Sequence, residues 1–191
     1  MRKLLARKSM ALKRSFFERD TTAVAQDLLG KFLVRHVGRK TIVGMIVETE
    51  AYVGPHDLAC HAAKGKTERT KVMFEPAGTW YVYLIYGMYH CLNIVTEAED
   101  YPSAVLIRAI ELPDRIGSGP GKLCRALKIN KQLNCVSAVA KNAKLYIEDQ
   151  GIKIPKNQII KTKRVGVDYA GPWKNKPLRF YIKNNVYISK K

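Results

Sequence analysis

The chain has 191 residues, 47% of them hydrophobic and 26% charged, the balance of an ordinary folded domain rather than of a disordered chain. Lys and Arg number 34 against 16 Asp and Glu, a formal net charge of +18. A surplus of that size on one domain points to a polyanionic partner, nucleic acid or an anionic membrane surface.

No apolar run approaches the roughly 18 residues of a membrane span. Residues 1–19 interrupt every apolar stretch with Arg or Lys, so they lack the core of a signal peptide. Cys60, Cys91, Cys124 and Cys135 form no close pair, the usage expected of a reduced, intracellular chain. In chain order, a basic arm over 1–18 precedes a helix whose N-cap is Asp20 or Thr21 and whose apolar face carries Val24, Ala25, Leu28 and Leu29. Phe16 and Phe17, at the end of the arm, have the look of core residues. Gly30 stands where a left-handed helix cap is expected.

Phe32–Val37 and Ile42–Tyr52 read as strands joined by a turn at Gly38-Arg39-Lys40. Residues 54–78 are polar, basic and broken by Gly and Pro, the composition of a long functional loop with short helical pieces. Thr79–Tyr86 and Tyr89–Thr96 form a second hairpin around Gly87, and Ser103–Ile110 is a further strand. Pro120 opens a helix running through Leu123, Ala126 and Leu127 to Asn130. Leu178–Ile182 and Val186–Ile188 read as closing strands around Asn184-Asn185. Hairpins with peripheral helices make a mixed α+β domain.

Strand alternation puts Glu48, Glu50 and Tyr52 on one face with Ile46, the two carboxylates about 6.5 Å apart along the backbone. Two readings are open. The strand end is solvated, or the acids serve general acid–base or nucleophilic chemistry. The spacing suits a glycosidase pair superficially, but these acids project in parallel instead of flanking a bond. Alternation also sends Tyr81 and Tyr83 to one face and Trp80 and Tyr86 to the other. Tyr86-Gly87-Met88 falls at a hairpin tip, where large apolar groups are better explained as a wedge for a partner than as core. In so basic a chain that partner is a base stack. Ser118-Gly119-Pro120-Gly121-Lys122 lacks the upstream Gly and the Ser/Thr of a nucleotide-binding loop, but a helix start with a Lys suits a phosphate. His56, Cys60 and His61 lack the second pair that a zinc site needs, so no metal is expected.

With these residues in place, the chain resembles the alkyladenine (3-methyladenine) DNA glycosylase family. The blocks RDTTAVAQDLLGKFLVR, GMIVETEAYVGPHDLACHA, YVYLIYGMYHCLNIV, AVLIRAIE, GPGKLCRALKIN and RVGVDYAGPWKNKPLRFY carry the resemblance, in the family's order from Arg19 to Tyr181. It implies a single α+β domain over 19–191, a curved antiparallel sheet of hairpins ringed by short helices, with one hairpin projecting toward DNA. It implies Glu50 as the base that deprotonates a water, with Arg108 holding that water or the carboxylate. Tyr52, His61 and Tyr83 would enclose an extruded base, and Asn93 would crowd out guanine. Tyr86 would enter the duplex, and Met88 and Tyr89 would brace its backbone, with Lys66, Arg69 and Lys122 as further backbone contacts. Glu48 would be structural, an ion-pair or hydrogen-bonding partner. The chain departs from the family's pattern in a short connection over 111–118 and in the loop 62–74. The implied partner is duplex DNA containing damaged purines, met by a monomer without cofactor. The alternative is a non-catalytic nucleic-acid-binding protein in which Tyr86 binds and Glu50 is inert; a basic structural protein is a third.

Overall fold

One antiparallel sheet organises residues 10–190, the part of the chain that the computed structural model describes. Its strands are β1 (Met10–Ala11), β2 (Phe32–Val37), β3 (Lys40–Tyr52), β4 (Trp80–Ile85), β5 (Tyr89–Val95), β6 (Ala104–Glu111), β7 (Leu145–Asp149), β8 (Ile159–Thr162) and β9 (Arg179–Ile182). The path runs β1-β7-β2-β3-β6-β5-β4, with β9 bridging β3 to β8. Three helices are α1 (Arg14–Phe17), α2 (Thr21–Asp27) and α3 (Pro120–Ala126); the remaining helical pieces are single 3-10 turns, two of them within the loop after β3. The result is the expected α+β domain with a curled sheet.

Strand β3 is the axis of the fold because it changes neighbours midway. Residues 40–45 pair with β2, residues 48–50 pair with β9, and β6 runs along the other side. The sheet curls around a core that collects Val24, Ala25 and Leu28 of α2, Trp80, Leu92, Ile94, Val105 and Ile107 of the strands, and Leu123 and Leu127 at α3. Local chemistry supports each end. The Asp20 carboxylate accepts from the backbone N–H of Ala23 at 2.8 Å and caps α2. Gly30 has φ +84°, the left-handed conformation foreseen for it.

Three expectations need correction. The basic arm drawn over 1–18 is part of the domain from Met10 on: β1 pairs with β7, and Phe17 is buried in the main core. Residues 1–9 of that arm lie outside the described residues. Val186–Ile188 is not a strand. Asn185 donates to Glu111 at 2.6 Å and accepts from the backbone N–H of Tyr187 at 2.8 Å, which turns the chain off the path a hairpin partner of β9 would follow. The helix from Pro120 stops at Ala126 instead of Asn130, and Lys128 then adopts φ +51°. Strands β7 and β8, four or five residues long, carry too little apolar alternation to stand out in the sequence.

Replacing Phe17 tests whether this segment belongs to the core. Phe17→Ala should lower unfolding free energy by about 3–5 kcal/mol, measured by urea denaturation. A loss under about 0.5 kcal/mol, the surface range, would return residues 10–17 to an appended arm.

Candidate active site

The β3–β6 register is irregular where the acids lie: Ile46 faces Ile110, Glu48 faces Ala109, and Thr49 faces Ile107. The irregularity resets the alternation. Ile46 and Ala51 pack in the main core, and the Thr49 hydroxyl donates to the Ala25 carbonyl of α2 at 2.7 Å. Glu48 does not share a face with Ile46 as simple alternation requires. It turns with Glu50 toward Arg108, and neither acid meets solvent, both being 0% exposed. The solvated reading of this strand end is therefore wrong.

Buried carboxylates need partners, and both have them. Glu48 Oε1 accepts from Arg108 Nε at 3.1 Å, from Arg179 Nη1 at 2.8 Å and from the Ser189 hydroxyl at 3.0 Å. Its Oε2 accepts from the Ser189 backbone N–H at 2.6 Å. Glu48 is thus an ion-pair and hydrogen-bonding partner. Glu50 Oε1 accepts from the Val165 backbone N–H at 2.8 Å and lies 3.3 Å from Arg108 Nη1. Its Oε2 accepts the Tyr52 hydroxyl at 3.0 Å. Burial works against the Arg108 charge, but Glu50 and Glu48 outweigh it and raise the Arg108 pKa. Burial, reinforced by Glu50, lifts the Tyr52 phenol well above its usual range, so it remains a donor.

Beside this network lies a cavity of about 690 Å³ whose wall includes Tyr52, His61, Tyr83, Asn93 and Arg108. Glu50 is not on the wall; it sits one layer behind, bonded to Tyr52 and facing Arg108. Strands β4 and β5 build the aromatic side. Tyr81 and Tyr83 share the cavity face with rings 5.2 Å apart, while Trp80 points into the main core. The His61 ring meets Tyr83 edge-on at 4.6 Å, and its Nδ1 pairs with the Tyr81 hydroxyl at 2.9 Å. Burial, with a smaller push from Arg69, lowers the His61 pKa to about 4, so the imidazole is neutral at physiological pH. Asn93 is buried opposite Tyr81 and donates to its carbonyl at 3.2 Å.

The β4–β5 tip carries Tyr86 and Met88, 82% and 66% exposed. Tyr86 at φ +52° and Gly87 at φ +69° give the turn left-handed residues at both central positions, and Met88 N–H closes it on the Ile85 carbonyl at 3.2 Å. Tyr89 lies against α3, where a side chain on Gly121 would come within 2.9 Å of its ring, so only glycine permits this approach. Lys122 reaches the cavity wall from the same helix. Of the loop cations, Lys66 stands 3.8 Å from Asp100 on the surface, whereas Arg69 lies over the Tyr83 ring at 5.3 Å. Arg69 thus flanks the aromatic pocket and, like Lys66, is exposed. Among the described residues, no three His, Cys, Asp or Glu side chains gather as metal ligands would.

Sequence reasoning missed Arg164 and Asp57. They form a fully buried pair; Asp57 also accepts the backbone N–H groups of Val53 and Ala59, and Arg164 donates to the Ala51 carbonyl and covers the Tyr52 ring at 4.7 Å. This clip brings Val165 to Glu50. Arg179 and Ser189 were missed as well. A pair of acids that must be buried implies cations to match, but nothing in their spacing says which of the chain's 34 Lys and Arg residues supply them.

An aromatic cavity backed by a buried carboxylate, with an exposed tyrosine at a hairpin tip of a strongly basic domain, is the apparatus of a protein that works on nucleic-acid bases. Residues 15–186 match the family model described as "Methylpurine-DNA glycosylase (MPG)". A protein of Legionella pneumophila (strain Corby) named "Putative 3-methyladenine DNA glycosylase" is 54% identical over 183 residues, covering 94% of this chain and 98% of its own. Proteins of the same name from Methanocella arvoryzae and Myxococcus xanthus are 48% and 46% identical, each over 94% of this chain and over 96% and 93% of their own lengths. The chain belongs to the methylpurine-DNA glycosylase family, whose members are hydrolases acting on DNA.

The neutral His61 has a measurable consequence. Its folded pKa, about 4, lies below the unfolded value of about 6.5, so the unfolded chain binds more protons between them. Stability contributed by this site is present above about pH 6.5 and is lost as pH falls toward 4. Urea denaturation across that window should show a slope that becomes shallower by one proton in His61→Gln; an unchanged slope would mean that His61 titrates normally.

Proposed function

We propose that this protein is a monomeric, monofunctional purine DNA glycosylase. It extrudes alkylated or deaminated purines of the 3-methyladenine, 7-methylguanine and hypoxanthine type from duplex DNA and hydrolyses their N-glycosidic bond. The observation that carries this reading is the Glu50 carboxylate, kept buried against Arg108, Val165 and Tyr52 behind an aromatic cavity. A non-catalytic binding protein has no use for a buried acid at that point.

A base inside the duplex is out of reach of attack at its sugar, so it must first leave the stack, at a cost of a few kcal/mol. Tyr86 is the wedge that fills the gap, and Met88, Tyr89, Lys66 and Lys122 brace the backbone. Tyr52, His61 and Tyr83 enclose the extruded purine, and the neutral imidazole adds no charge against a cationic alkylpurine held by its aromatic neighbours. Asn93 disfavours the exocyclic amine of guanine. A carboxylate offers about four lone-pair sites. Oε1 is engaged by Val165 and Arg108, while Oε2 holds only Tyr52 and keeps a site for a water. That water attacks C1′ as Glu50 takes its proton. The N-glycosidic electron pair departs with the purine, leaving a hydroxyl on the abasic sugar.

Glu50→Gln should slow base release from a duplex containing hypoxanthine or 3-methyladenine by about 10²–10⁴-fold while leaving lesion affinity within a few-fold, because only the ionised acid can take the proton. Alkali cleavage of abasic sites reads the product, and borohydride should trap no protein–DNA adduct. Near-normal turnover would remove Glu50 from catalysis; an adduct, through Lys122 for example, would make the enzyme a lyase.

Tyr86→Ser should leave the melting temperature unchanged, since the ring fills no core space. Flipping, read by 2-aminopurine fluorescence beside a lesion, should weaken by the roughly 1–3 kcal/mol of one stacked base, with the salt dependence of binding preserved. A large fall in melting temperature, or undiminished flipping, would end the wedge role.

A further inference from the structure

The segment after β9 returns across the back of the site, where the Lys190 carbonyl accepts from Arg179 Nη1 at 2.8 Å and Ser189 meets both Glu48 and Arg108. Each edge of the Arg108 guanidinium has its own partner: Nε on Glu48 at 3.1 Å, Nη2 on the Ser189 hydroxyl at 3.1 Å and Nη1 toward Glu50 at 3.3 Å. Nε and Nη2 form the edge that a carboxylate ordinarily takes with both oxygens. Here Glu48 supplies only Oε1, because the Ser189 backbone N–H holds Oε2 at 2.6 Å. The Ser189 hydroxyl takes the vacated place: it accepts from Nη2 and gives its single proton to Glu48 Oε1 at 3.0 Å.

We infer that Ser189 is a positioning residue for the reaction, its hydroxyl filling the Nη2 place that Glu48, with Oε2 held by the Ser189 backbone N–H, leaves open, and so keeping Nη1 turned to Glu50. The inference rests on the reading of Glu50 as the base. Without the hydroxyl, Nη2 loses its acceptor and the guanidinium tilts off Glu50.

Glu50 sits among several charged and titratable groups. Glu48 and Tyr52 lie on its own strand, Arg108 on β6 and Arg179 on β9. Arg164 adjoins it from the segment before β9, and Tyr83 and Cys91 feel its charge from β4 and β5. Its ion pair among the described residues is with Arg108 Nη1. Loosening that pair should slow base release, since the carboxylate then loses a group that holds it in place.

The test compares Ser189→Ala, Ser189→Cys and Ser189→Thr in the full chain, under single turnover with a hypoxanthine duplex. Ser189→Ala should slow base release on the order of tenfold or more at unchanged lesion affinity. Ser189→Cys, similar in size but a weak hydrogen-bond partner, should behave alike, and it carries the test if the Ala variant fails to fold. Ser189→Thr should restore the rate. An undiminished rate in both hydroxyl-free variants, or a Thr variant as impaired as Ala, would overturn the inference. Hydrogen exchange of the Arg108 Nη2–H, followed by NMR without DNA, separates this from the Glu50 reading. It should be slow in wild type and Thr and fast in Ala and Cys; equal rates in all four would refute the positioning whatever the catalytic result. A wild-type protein that releases no base, with the exchange pattern intact, would sink the Glu50 reading and spare the geometry.

Discussion

Three acids and three arginines are buried together, and the rest of the molecule is arranged around that balance. Glu48, Glu50 and Asp57 are matched by Arg108, Arg164 and Arg179. Leaving one member of a buried pair without its partner costs about 3–5 kcal/mol, so no element that supplies a charge can be lost singly. The acids Glu48 and Glu50 come from β3; their cations come from β6 and β9, the strands on either side of it. Asp57 and Arg164 tie the loop after β3 to the segment before β9. The charges buried among the described residues cancel, so none of their basic surplus is taken up by the core and it is left to meet phosphates.

This balance also explains the division between the two ends of the site. At the carboxylate end every group is fixed by several bonds, which suits chemistry that depends on the position of one water. At the hairpin end the structure is sparsely held: Tyr86 and Met88 project from a left-handed turn without a side-chain partner among the hydrogen bonds and aromatic contacts. Left-handed φ at a bulky residue is unfavourable by roughly 1–2 kcal/mol. The strain sits at the residue proposed to leave the protein surface for the interior of a duplex. Between the two ends, neutral rings of Tyr52, His61 and Tyr83 form a surface able to take a flat, electron-poor base.

Much of this was legible in the sequence wherever local chemistry decides structure. Phe32–Val37 is a strand with the limits its β-branched and aromatic pattern suggests, Gly38 and Gly87 mark true turns, and Asp20 caps its helix. The family's blocks led to Tyr52, His61, Tyr83, Asn93 and Arg108, which do surround one cavity. What escaped was non-local. The irregular register at Val47–Glu48 depends on β3 exchanging β2 for β9, which period-two alternation along one strand cannot express. Asp57 and Arg164, 107 residues apart, meet only through the fold. Val186–Ile188 has strand composition but is directed by the side-chain bonds of Asn185.

The central claim is that Arg108 acts on the reaction through Glu50, so that the two behave as one unit. A double-mutant cycle of single-turnover base release measures this most directly, using Glu50→Gln, Arg108→Gln and the double variant on a hypoxanthine duplex, with folding checked by thermal melting. The account predicts strong non-additivity: once Glu50 is neutral, removing the Arg108 charge should lower the remaining rate little further. Full additivity of the two losses in folded variants would contradict it and assign Arg108 a separate role on the substrate.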